Sequence, residues 1–111
     1  MSLDAELAER VRDELIGEAG LAEKAMFAGI AFLLDANMAV GITSTADLMV
    51  RVGPDGEAEA LAAPHARPFD MTGRPMKGWI LVERAGIETE AELNAWVRQG
   101  VEVARGLPPK R

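Results

Sequence analysis

The chain has 111 residues, a formal net charge of −6 and no cysteine. That length suits one domain, residues 1–111, burying roughly two thirds of its unfolded surface in a single core. The missing cysteines exclude disulfides, thiolate chemistry and cysteine-based zinc sites. No apolar run nears the ~18 residues of a membrane span, and the N-terminus opens on a charged helical pattern rather than a signal peptide, so a cytoplasmic location without membrane contact is expected.

The charge is uneven. Met1 to Glu23 carries seven acidic and two basic residues, whereas from Pro64 to Arg84 four bases (Arg67, Arg74, Lys77 and Arg84) stand against Asp70 and Glu83. An acidic chain as a whole repels a phosphate backbone, which disfavours general nucleic-acid affinity. A local anion site in the basic stretch stays open.

In chain order, Leu7, Val11 and Leu15 recur every four residues with Ala8 and Ile16 beside them, the stripe of an amphipathic helix. Ser2 is its expected N-cap, and Gly17 and Gly20 end it. Three apolar runs follow, Lys24–Leu34, Asn37–Thr43 and Asp47–Val52, separated by polar turns at Asp35-Ala36-Asn37 and Ser44-Thr45; they read as an antiparallel meander. Alternation puts Met38, Val40, Ile42, Leu48, Val50 and Val52 on one bulky face, and Ala39, Gly41, Thr43, Met49 and Arg51 on the other. Gly53-Pro54-Asp55-Gly56 breaks the strands, with Pro54 suited to open a short helix through Ala63.

The stretch Arg67–Val82 supplies an extended piece near Phe69–Met71, a turn at Thr72-Gly73 and a strong strand at Lys77–Glu83 that carries Trp79 into the core. Thr89-x-x-Glu92 is a capping box, and Leu93, Trp96, Val97, Gly100, Val101 and Ala104 form the stripe of a last helix that Pro108-Pro109 stops. The order α-β-β-β-α-β-β-α is most simply an α+β two-layer sandwich. Its uncovered sheet face (Phe27, Gly29, Ala31, Ala39, Gly41, Met49) is too apolar for ordinary solvent surface, so either a helix crosses behind it or a second subunit makes a homodimer there.

Catalytic groups are sparse. Ser44 lacks the G-x-S-x-G surroundings of a nucleophile elbow, and His65, the only histidine, reads as an exposed loop residue. Neither metal-ligand spacing nor a phosphate-loop fingerprint occurs. The sharp candidate is the cluster Arg67, Asp70, Arg74 and Lys77: either an anion or partner site around Gly73, or a structural turn in which Asp70 pairs with Arg67 or Arg74. Trp79 and Trp96 read as core residues, since base stacking wants exposed aromatics interleaved with bases.

Met26–Phe32, Asn37-Met38, Asp47–Val52 and above all Ala66–Trp79 (ARPFDMTGRPMKGW) together resemble the N-terminal domain of TfoX (Sxy), the regulator of natural competence. The likeness runs from about Val11 to Pro109 in unbroken order. It implies a two-layer α+β fold of the YgaC/TfoX-N kind, no catalytic residues and no cofactor. It also implies a regulator that works with other transcription factors on DNA-uptake genes rather than an enzyme. Full-length regulators carry a C-terminal domain beyond this one, so the sequence, ending at Arg111, reads as a stand-alone member. The expected function is a non-catalytic regulatory domain working through protein contacts, with Arg51, Arg67, Asp70, Arg74 and Lys77 as binding residues. The alternative is direct binding of nucleic acid or an anionic ligand through Arg67, Arg74 and Lys77.

Overall fold

The stripe read from the first helix is what the fold buries first. In a computed structural model, which describes residues 3–26, 29–43, 46–70 and 75–108, helix α1 spans Leu3–Glu14 and buries Leu7, Ala8 and Val11, with Leu15 just beyond its end. Ile16 points out instead and is 76% exposed. The expected cap Ser2 lies outside the described residues. Strands β1 (Leu21–Met26), β2 (Gly29–Leu34), β3 (Asn37–Ile42) and β4 (Leu48–Arg51) follow. Then come α2 (Glu57–Leu61), β5 (Ala66–Asp70), β6 (Pro75–Val82), a 3-10 turn at Arg84–Gly86 and α3 (Glu90–Arg105). The strands form one antiparallel sheet in the order β1-β2-β3-β4-β6-β5. The α+β layering with an antiparallel sheet is as the sequence led us to expect.

Two departures have simple causes. The run Lys24–Leu34 is not one strand: β1 begins earlier, at Leu21, and pairs back on β2 with Met26 opposite Gly29. Eleven residues exceed the usual strand of about five or six, so an apolar run of that length accommodates a hairpin better than a single strand. Secondly, Phe32 lies opposite Val40 but Leu33 lies opposite Met38, which leaves Ala39 as an extra residue in β3. One inserted residue shifts the pleat by one. Met38 therefore leaves the bulky face on which alternation placed it, and Ala39 joins Val40 in the helix-facing core. The β2–β3 turn itself is tight, with Asp35 (φ 51°) and Ala36 (φ 68°) both left-handed as a two-residue hairpin of the mirror type requires.

The helix-facing core gathers Phe32, Leu34, Val40, Ile42, Leu48, Val50, Ile80 and Val82 from the sheet, with the α1 stripe and Leu93, Val97, Val101 and Ala104 of α3. Helix α3 starts at the expected capping box: Thr89 Oγ1 accepts from the Glu92 N–H (3.1 Å), and Glu92 Oε1 accepts from the Thr89 N–H (3.1 Å). It approaches β3 so closely that a Cβ at Gly100 would lie 2.5 Å from the Ala39 carbonyl oxygen and 2.8 Å from Val40 Cγ1. Trp96 is only half-buried and packs against the rim of this core rather than inside it. Past α3, the Pro108 carbonyl accepts from Asn37 Nδ2 (2.9 Å), which satisfies the one buried polar side chain among the described residues.

The other face of the sheet holds a smaller cluster of Met49, Phe69, Trp79 and Leu81, with Met38 against it. No residue of a described helix joins that cluster. The face foreseen as open is differently composed. Ala31, Gly41 and Met49 are already buried within the single chain, Ala39 belongs to the helix side, and Phe27 lies outside the described residues. Among the described residues no helix is long and apolar enough to cross a membrane.

Candidate functional site

The strand order brings β4 directly beside β6, and Arg51 falls opposite Trp79. Both side chains stand on the face away from the helices, because Val50 and Ile80, their neighbours in sequence, point into the helix-facing core. Trp79 packs edge-on against Phe69, with ring centroids 6.5 Å apart and planes at 80°. The Arg51 guanidinium carbon lies 5.1 Å from the centre of the Trp79 ring, a cation–π contact, and its Nη1 donates to the Met38 carbonyl (3.1 Å). Beyond Trp79 the regular register of β6 stops at Gly78. This residue has φ +85°, and its carbonyl accepts from the N–H groups of both Val52 (2.8 Å) and Gly53 (3.0 Å). A side chain there would be strained in that conformation and would crowd Gly53 and Pro54.

Arg51 differs from the arginines that are held in ion pairs. Arg12 holds Glu23 at 2.7 Å, Arg98 holds Glu18 at 3.2 Å, and Arg105 holds Glu18 and Asp35 at 3.1 Å each. Arg51 has no carboxylate partner among the described residues, and partial burial pushes its pKa below the ordinary arginine value. A planar fork with unused N–H donors, braced by an aromatic face, is suited to receive an anion in its plane.

The remaining candidates do not converge on this point. Arg67, on β5 opposite Leu81, contacts Asp47 (3.4 Å) and Glu83 (3.8 Å) and is largely exposed. Of the two carboxylates, Glu83 follows β6 in the same β5–β6 hairpin and Asp47 precedes β4. Lys77 is exposed on β6. Asp70 closes β5 by its backbone, opposite Pro75, while its side chain and the whole of Arg74 lie outside the described residues, as do Thr72 and Gly73. His65 is exposed in the loop before β5, as expected. Among the described residues no three acidic or histidine groups are gathered to hold a metal ion. Two grooves lie elsewhere. One of about 520 Å³ lies beside Arg10 and Arg84, and one of about 510 Å³ lies beside Trp96 and Arg98.

Sequence reading missed that Trp79 and Met38 complete the surroundings of Arg51. Alternation alone places Arg51 and Met49 on one face, but the β4–β6 pairing skips β5 and the Met38 carbonyl depends on the course of β3.

The matched family is consistent with this architecture. A family model described as TfoX N-terminal domain matches residues 14–104, a span that takes in every strand and both Arg51 and Trp79. A comparison with the curated proteins finds no match. With most of its length matched, the chain belongs to the TfoX N-terminal domain family.

Proposed function

We propose that this chain is a non-catalytic regulatory domain that acts by contacting other proteins in the cytoplasm, in the transcriptional setting of its family's competence regulators. The observation that carries the reading is Arg51 resting on Trp79, with Met38 and Phe69 beside it, on the sheet face that no described helix joins. Arginine beside a large aromatic is the composition in which protein interfaces concentrate their binding energy. Direct nucleic-acid binding has less support, because Arg67 is already balanced by Asp47 and Glu83 and the chain as a whole is acidic.

The test is affinity capture from native lysate on immobilised protein, developed with a salt gradient, with and without nuclease. A protein retained after nuclease treatment is the expected result. Recovery of nucleic acid that leaves at moderate salt would replace this reading with the alternative. A column that retains nothing would sink both.

A further inference from the structure

We propose that the Arg51–Trp79 pair is a docking point for a carboxylate side chain of a partner protein, presented beside an apolar residue of the same segment. This deepens the protein-contact reading above and rests on it.

Arg51 is fixed from two sides, by the Trp79 ring and by the Met38 carbonyl. Its only hydrogen bond among the described residues uses one proton of Nη1, which leaves Nε and Nη2 available. A guanidinium has five N–H donors in a rigid fork, and two parallel ones match a carboxylate. Fixing the fork beforehand removes part of the entropy that binding would otherwise lose. A single guanidinium matches a single negative charge. A phosphate dianion or a nucleic-acid backbone calls for several cations, and Arg67, one pleat repeat away along the register, is already matched by Asp47 and Glu83. The neighbours of the fork are apolar: half-buried Met38 and buried Phe69 and Trp79. Of these only Met38 keeps appreciable accessible surface, and it is Met38 that an apolar residue adjoining the acid would meet. The acidic net charge of the chain also argues for one locally accepted carboxylate rather than a polyanion.

The experiment follows the Trp79 indole and Arg51 Nε–H resonances of the full chain by NMR. Four probes are used: a capped heptapeptide of alternating alanine and leucine with a central glutamate, the same peptide with central glutamine, inorganic phosphate, and acetate. The glutamate peptide is expected to shift both resonances saturably and to bind at least tenfold more tightly than the glutamine peptide. Arg51→Lys, which keeps the charge but loses the fork, should weaken it at least tenfold, and Arg51→Met should abolish it, with both variants retaining the folded spectrum. Equal binding of the glutamine peptide, tighter binding of phosphate, or no saturable shift with any probe would overturn the proposal. So would acetate binding as tightly as the peptide, which would make the site one for free small carboxylates. Lysate capture separates the two levels. A partner retained equally by wild type and Arg51→Met removes this docking point and leaves the protein-contact reading in place. A column empty for both removes that reading as well.

Discussion

On the helix-covered face of the sheet, Phe32, Val40, Ile42, Leu48, Val50, Ile80 and Val82 meet two amphipathic helices in an apolar cluster. On the opposite face the same strands set Met49, Phe69, Trp79 and Leu81 together and then place a guanidinium over the tryptophan. Among the described residues, twenty buried ones form the first cluster and four the second, so the first dominates the stability, while the second borders Arg51, which has no carboxylate partner among those residues. Successive residues of one strand thus face two environments. Val50 anchors the fold, and Arg51, the next residue, faces outward as the proposed docking group.

The largest expected break in that contrast comes from truncating the helix-facing core. Phe32→Ala should lower stability by about 3–5 kcal/mol in urea melts, whereas Phe69→Leu on the other face, which keeps most of the volume, should lower it by about 1 kcal/mol. Equal losses would mean that the two faces share the stability. Gly100→Ala should destabilise by about 1–3 kcal/mol, although alanine is the better helix former, because its Cβ meets the Ala39 carbonyl and Val40. Thermal melts would show this, and a gain in Tm would mean that α3 can move off β3. Arg51→Met should change stability by no more than about 1 kcal/mol in either direction, since loss of the cation–π contact and one hydrogen bond is offset by relief from burying a cation.

The smallest effect concerns the ion pairs of the helix side. Glu18 accepts from Arg105 and from Arg98, and those hydrogen bonds hold its carboxyl below the ordinary glutamate range. With the folded pKa depressed, the stabilisation is complete above the ordinary glutamate value and disappears as pH falls through the folded one. Glu18→Gln should therefore flatten the fall of Tm below roughly pH 5 and leave the alkaline side unaltered. An unchanged acid limb would assign that fall to Glu23, which Arg12 holds low in the same way, or to other carboxylates.

Local signals were the legible ones. The α1 stripe, the Thr89–Glu92 capping box and the α3 stripe are set by residues three or four apart. The box forms as spaced, and the stripes are buried except for Ile16, which points out past the end of α1, and Trp96, which stays at the rim. The Ala39 bulge was not legible, because an inserted residue in a strand of apolar residues leaves the sequence pattern plausible in either register. Arg67 found partners 20 and 16 positions away: the β5–β6 hairpin brings Glu83 to it, but only the placing of β4 beside β6 brings Asp47. Arg51 was recognisable as a cation on a strand. Its aromatic support was not, since Trp79 reads simply as a large apolar residue until the pairing of β4 with β6 is known.

Arg98 reaches back to Glu14 and Glu18, and Arg105 to Glu18 and Ala19, across 80 to 87 residues of chain. Asn94 joins Glu14 in the same seam. During synthesis the N-terminal helix therefore leaves the ribosome long before the helix that locks it exists. Through that interval Leu7, Val11 and Leu15 have the sheet to pack on but not α3, a standing invitation to chaperones, and the core is complete only when the last helix has been released.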